Sequence, residues 1–368
     1  MNLFCTVLTY TAPSANYRGE SAENRAVIQK ISRGRFEYPI ISPEAIRNAL
    51  RETMAAMGLP CNRERLHDEE QLAVRFKHYP NAEEYADDFF MGWLIATNNR
   101  EKEKEKLIMD RTDPRGREIR TELEAIDEEF TRKKEELERK IVSSGGADEE
   151  KEKKTGNELK KLKKKFAARK KKLINSLPMD FKRDAVFRSN LAVALEPYRY
   201  DSIFTQSPQY VDSPWENAKN SQLLHREVTF TPFQYPFALN LEECREKQEW
   251  TKKLLKAIGQ LNGVAGNHAR SYFEMAPASI VCRLTPKLVA GYDTYGFTVD
   301  EKSRRHLYPE VIDGILQKDY PGEEFFLGGK LVKDMDGEIF QKLKEKKTTL
   351  ERNPRKLLDK VNDAIFME

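Results

Sequence analysis

The chain is poor in the features that would place it in most common classes. Its 368 residues hold four cysteines, Cys5, Cys61, Cys244 and Cys282, far apart and with no CxxC. That spacing excludes a disulfide frame or a zinc knuckle and predicts reduced thiols in a cytoplasmic protein. No apolar run approaches the length of a membrane span. The opening "MNLFCTVLTY" has no basic region before its short apolar stretch, so it predicts a first strand rather than a signal peptide. There is no GxGxxG and no GxxxxGK[ST], which argues against dinucleotide and nucleoside-triphosphate loops. The five histidines show no HExxH or HxxxH spacing and no GxSxG marks a nucleophile, so neither a metal site nor a cofactor is expected.

What the chain has in quantity is charge, at 34% of residues against 39% hydrophobic. The formal net charge is only +4, but it is unevenly spread. Arg100–Lys172 contains 25 Lys and Arg against 19 Asp and Glu, which leaves the remainder slightly acidic. Within it, Ile119, Leu123, Ile126, Phe130, Leu137 and Ile141 recur at heptad-like spacings, as do Leu159, Leu162, Phe166, Leu173 and Leu177. With the polar "VSSGGADEEKEKKTG" between them, these seams predict an inserted antiparallel helical hairpin with arms about 30–40 Å long. Lys151–Lys172 carries 12 basic and 2 acidic residues, a pattern that suits either a solvated coiled coil or an arm that contacts nucleic acid.

Around this insertion, strand and helix patterns alternate irregularly. "FEYPII", "LAVRF", "AVFRSNLAVAL", "LLHREVTFTPF" and "YPFAL" predict strands. "SPEAIRNALRETMAAMG" predicts a helix capped by Ser42, opened by Pro43 and ended by Gly58, with Arg47 and Arg51 one turn apart. Asn81/Glu84 and Asn240/Glu243 read as capping boxes for two further helices, and helical patterns dominate after Asp300. The fold class expected is α+β with a mostly antiparallel sheet. The expected organisation is 1–99, an insertion at 100–177, a second part at 178–299 and a C-terminal helical segment at 300–368.

"GQLNGVAGNHARSYFEMAPASIVCRL" (259–284) places Gly263 and Gly266 just before Asn267, His268 and Arg270. A GxxG can be an ordinary turn, or a bend in which main-chain N–H groups approach a phosphate without an intervening Cβ. Asn, His and Arg supply donors suited to phosphate oxygens and 2′-hydroxyls. His268 with Tyr272 could also serve metal-independent RNA cleavage as base and acid.

Taken together, "TYTAPSANYRGESAENR", "YPIISPEAIRNALRE", "HREVTFTPFQYPFAL" and "GVAGNHARSYFEMAPASIVCRLT" resemble, in order, the DevR-type backbone subunit of type I CRISPR Cascade complexes. The resemblance covers roughly residues 1–95 and 185–300. It implies an RRM-like (ferredoxin-like) palm with finger-like inserts. It further implies copies assembled head to tail along a guide RNA (crRNA), pairing of that guide with a target DNA strand, and other Cascade subunits as partners, with no membrane. Such a subunit holds phosphate and sugar without reading bases and is not itself a nuclease. The residues the resemblance points to as guide-binding are Asn16, Tyr17, Arg18, Ser42, Arg47, Arg51, His225, Arg226, Gly263, Gly266, Asn267, His268 and Arg270. The alternative is a CRISPR-associated endoribonuclease that processes or cleaves RNA. The long charged hairpin departs from the family pattern, and residues 300–368 match it least.

Overall fold

The computed structural model describes residues 1–22, 25–65, 74–96, 104–106, 108–109, 114–143, 149–176, 180–206, 223–264 and 272–366. Met1–Cys61, Glu83–Met91 and Ala185–Glu368 form one compact unit; Asn62–Ala82 and Gly92–Asp184 form a second.

The first unit is built on a nine-stranded sheet. Eight of its strands follow the order Thr349–Glu351, Phe325–Gly329, Ser279–Thr285, Asn2–Leu8, Phe233–Asn240, Ala192–Ala194, Phe36–Ile41 and Lys30–Arg33. Phe187–Ser189 also pairs with Phe233–Asn240. All of these pairs are antiparallel except Phe325–Gly329 with Thr349–Glu351. The strand expected at the N-terminus is therefore the centre of the sheet. Its apolar residues are buried nearly throughout because both faces of the sheet are covered.

Register assigns the two faces. Leu3, Cys5 and Val7 share a face with Leu284, Cys282 and Ile280, their partners across the strand pair. The helix Pro354–Phe366 packs here, and Gly328, opposite Ile280, leaves room for Leu357; a Cβ at Gly328 would come within 2.8 Å of that side chain. The helix Gln248–Ile258 lies against Pro354–Phe366 and against Pro43–Ala56, burying Leu254, Leu255 and Ile258. Burial of each such side chain stabilises the fold by about 1.5–3 kcal/mol. On the opposite face, Leu8 and Val281 join Tyr292, Phe297, Tyr308, Val311, Ile315, Phe325 and Leu343 in one core. Both faces of the central strands are covered by protein.

The helix at Pro43–Ala56 follows its sequence signals. Ser42 Oγ accepts from the Ala45 N–H at 3.2 Å, Pro43 opens the first turn, and Gly58 adopts φ +77° just beyond the end. Asn240 likewise caps its helix, accepting from the Glu242 N–H and donating to the Glu243 carboxylate. Two expectations shift. The Asn81/Glu84 box does not start a helix; Ala86–Met91 begins five residues later, where the Ala86 N–H donates to the Pro60 carbonyl. The segment after Asp300 is not only helical, since Phe325–Gly329 and Thr349–Glu351 extend the sheet at its edge. Phe325–Gly329 is buried on both faces, so its sequence lacks the alternation that betrays a strand.

In the second unit, Pro114–Ser143 and Glu149–Ser176 form the antiparallel hairpin. Phe130 meets Phe166 at 5.4 Å between ring centres, Glu129 pairs with Arg169 at 2.7 Å, and Asp127 pairs with Lys170. The second arm starts at Glu149, inside what the sequence suggested was loop, and Gly156 sits within it. Ile108, Ile119, Leu123 and Ile174 form a small core at its base.

Candidate nucleic-acid interface

The residues expected to grip a ligand fall in three places of the first unit. The first is a small four-stranded sheet in the order Ser202–Gln206, Leu223–Glu227, Arg25–Ile28 and Tyr17–Ala22. Leu223–Glu227 pairs in parallel with Arg25–Ile28, setting His225 opposite Arg25 and Arg226 opposite Ala26. Tyr17 is thus brought to the same sheet as His225 and Arg226, about two hundred residues further along the chain, with Asn16 just before its strand. Burial raises the Tyr17 phenol above its ordinary value, the nearby Arg226 guanidinium lowers it, and the Glu227 carboxylate raises it again. Glu227 is buried, accepting from the Ile28 N–H at 3.2 Å and from Lys30 Nζ at 3.4 Å, while Lys30 lies 3.9 Å from the Tyr198 ring centre. Asn16 ties this sheet to the large one: its amide donates to the Ile40 carbonyl at 3.1 Å, and its own carbonyl accepts from Gln29. Arg18 lies on the strand Tyr17–Ala22. His225 packs on Phe204 with ring centres 4.4 Å apart, and Phe204 remains 63% exposed. An exposed aromatic is a surface on which an unpaired base can stack. Phe204 was not singled out from sequence; its place in the short alternation "SIFTQ" is the signal that carried it.

The second place is the helix Pro43–Ala56. Ser42 is its cap, as above. Arg47 and Arg51, one turn apart, are used differently. Arg51 Nε lies 3.4 Å from Asp87 Oδ2, a carboxylate with no solvent exposure, and Nη1 donates to Asn48 at 2.9 Å. Arg47 is half-buried, and its buried Nε has no hydrogen-bond partner. Of the two cations, Arg51 is held by a carboxylate, whereas Arg47 forms no ion pair among the described residues.

The third place is the glycine bend. Gly266, Asn267, His268 and Arg270 lie outside the described residues. The neck of the bend is described: Asn262 bridges Glu274, the Met275 N–H donates to the Leu261 carbonyl at 2.9 Å, and Val264 and Phe273 are buried shoulders. Gly263 has φ +71°, a conformation that strains any residue with a Cβ, although the space around it is open. The bend at Gly263 is therefore conformational, not a matter of crowding. Tyr272 is exposed at this neck, and its hydrogen bond to the Glu274 carboxylate raises its phenol. Arg355, from the N-terminus of Pro354–Phe366, donates from Nε to the Gly259 carbonyl at 3.1 Å and lowers the Tyr272 phenol by its charge. This exposed cation was not found from sequence, where residues 300–368 carry the weakest resemblance.

One pair outside these clusters has the form of a nucleophile and its base. Ser279 Oγ is 2.8 Å from His306 Nδ1, but both side chains are buried and the Leu331 N–H donates to the same Oγ at 2.9 Å. The pair ties the sheet to the segment around Leu331 and has no path to solvent. Among the described residues, no group of three His, Cys, Asp or Glu is placed to hold a metal ion, and no helix is long and apolar enough to cross a membrane.

No protein-family model matches the sequence. A curated protein from Myxococcus xanthus (strain DK1622), the CRISPR-associated protein Cas7/Cst2/DevR, is 30% identical over 157 residues, covering 42% of this chain and 51% of that protein. The chain resembles Cas7/DevR proteins. It spans about half the length of the curated relative it matches. A solved chain from a CRISPR RNA-guided surveillance complex superposes with TM-score 0.51 at 11% identity, over the whole of both chains. A chain from such a complex described as pre-nicking gives TM-score 0.49 at 13% identity, again over both whole chains. At 11% identity the first of these superpositions bears on the fold, a mixed α+β architecture with a mostly antiparallel sheet. The Cas7/DevR likeness carried by the sequence motifs is thus found again in a curated relative.

Proposed function

We propose that this chain is a non-catalytic backbone subunit of a CRISPR surveillance complex. It holds guide RNA by phosphate and sugar contacts, assembles in several copies along that RNA, and presents it for pairing with a target DNA strand in the cytoplasm. Other subunits of the complex are its partners. The observation that carries this reading is the convergence of Tyr17 with His225 and Arg226 on one small sheet, with Asn16 just before it and Phe204 exposed against His225. The cations and donors there suit a ribose-phosphate chain, and Arg47, Arg355 and the bend at Gly263 add further sequence-blind contacts. Asn267, His268 and Arg270 belong to the same grip in this reading.

The palm is RRM-like. Support comes from the chain order Asn2–Leu8, helix Pro43–Ala56, Ala192–Ala194, Phe233–Asn240, helix Gln248–Ile258 and Ser279–Thr285. In the sheet those four strands lie in the order fourth, first, third, second, the arrangement of a ferredoxin-like βαββαβ unit. Its sheet face is covered by the core around Tyr292, Phe297 and Tyr308, so RNA runs over loops and edges.

The test is binding of the purified full chain to a single-stranded RNA of arbitrary sequence, about 60 nucleotides long, followed by native mass spectrometry. Several copies per RNA, with affinity falling steeply as salt rises, are expected. Saturation at one copy would overturn the reading. Intact RNA with and without magnesium is expected in the same samples; cleavage would favour an endoribonuclease instead.

A further inference from the structure

We propose that the second arm of the helical hairpin is a docking surface for the phosphate backbone of a nucleic-acid duplex, separate from the guide-binding grip. Residues 156–176 of this arm hold nine Lys and Arg and one acidic residue. Seven of those cations fall into two sets. Near the seam, Arg169 pairs with Glu129 at 2.7 Å and Lys170 pairs with Asp127, so the hairpin neutralises them internally. Lys160, Lys161, Lys164, Lys165 and Lys172 are exposed and form no ion pair among the described residues.

The seam is marked by Leu159, Leu162, Phe166 and Leu173. At 100° per residue, Lys160, Lys161, Lys164, Lys165 and Lys172 fall on the half of the helix turned away from it. They run along about 18 Å of axis. Lys160 with Lys164 and Lys161 with Lys165 are like charges one turn apart, an arrangement that weakens a helix in water. An anionic partner removes that repulsion.

The chemistry of the face selects the partner. It has lysine and alanine, with no aromatic residue to stack on an unpaired base, so it does not suit a single strand. Lysine is a point charge without the planar fork that reads guanine edges, so it suits backbone contact of no sequence preference. A duplex, with one negative charge per about 1.7 Å of axis, offers the required density of anions along a straight face. An acidic protein surface could supply charge but not that regularity.

The inference stands whether or not the first unit holds guide RNA, and its test separates the two. The full chain and a quadruple variant, Lys160→Gln, Lys161→Gln, Lys164→Gln and Lys165→Gln, are titrated by fluorescence anisotropy at several salt concentrations. The probes are a 30-base-pair DNA duplex of arbitrary sequence, a single-stranded RNA and polyglutamate. The parent is expected to bind the duplex, and the variant to lose about 100-fold in affinity, with its log-log salt slope shallower by about 3–4. Single-stranded RNA binding should change less than about threefold. A second variant with arginine at the same four positions should retain duplex binding, and circular dichroism should show equal helix content in all three. Unchanged duplex affinity in the glutamine variant, or failure of the parent to bind duplex, would overturn the proposal. Equal loss of polyglutamate and duplex binding, with polyglutamate bound as tightly as the duplex by the parent, would assign the face to an acidic protein. Loss of single-stranded RNA binding with duplex binding kept would overturn it too, and would move these lysines into the guide grip.

Discussion

Arg51 reaches out of the helix Pro43–Ala56 to Asp87, placing a guanidinium 3.4 Å from a carboxylate that has no contact with solvent. Arg47, one turn earlier, forms no ion pair among the described residues. Two arginines that look alike in sequence therefore do different work. Arg51→Ala takes a guanidinium away from a fully buried carboxylate and should destabilise the fold by about 3–5 kcal/mol in denaturant titrations. Arg47→Ala should cost less than about 1 kcal/mol of stability while weakening RNA binding and reducing its salt slope by about 1. Equal stability losses in the two variants would contradict this division.

Gly263 tests the bend. With φ +71°, alanine there should cost about 1 kcal/mol or more, and asparagine should cost less because it tolerates the left-handed region. RNA affinity should follow the same order, glycine above asparagine above alanine. Thermal unfolding and RNA titration of the two variants check it.

His306 should make the first unit acid-sensitive. Burial, followed by the Lys330 charge, pushes its imidazole down to about 4, while Asp334 opposes the shift. The fold therefore favours the neutral ring. Its contribution is complete above the unfolded value near 6.5 and is lost as pH falls from there toward 4. Between pH 7.5 and 4.5 the loss should be about 2–3 kcal/mol. His306→Asn should be less stable at neutral pH but flatter over that window. If both proteins declined in parallel, the sensitivity would lie elsewhere.

Arg355 is exposed beside the bend, its Nε donating to the Gly259 carbonyl. Arg355→Gln should leave the unfolding midpoint nearly unchanged and weaken RNA binding several-fold, uniformly across sequences. A sequence-dependent loss would point to base contact.

How much of this was legible beforehand depended on how local each signal was. Ser42, Pro43 and Gly58 act within one helix, so that helix and its cap could be read directly. The heptad seam is also local, and the pairing of Phe130 with Phe166 follows from it. Phe325–Gly329 was missed because a strand buried on both sides shows no alternation. The distinction between Arg47 and Arg51 rests on Asp87, and the position of Arg355 on Gly259; neither neighbour is near in sequence. The small sheet depends on strands drawn from both ends of the chain, and only the family resemblance had put Tyr17 and Arg226 in one list.

Because the broad sheet is sandwiched on both sides, its aromatic residues answer to packing alone. Grip and scaffold can then drift independently: substitutions at the rim retune how hard a polyanion is held, while the interior keeps its melting behaviour. A laboratory selection for altered affinity should accordingly accumulate changes around Tyr17, Phe204 and Arg355 and spare Tyr292, Phe297 and Tyr308.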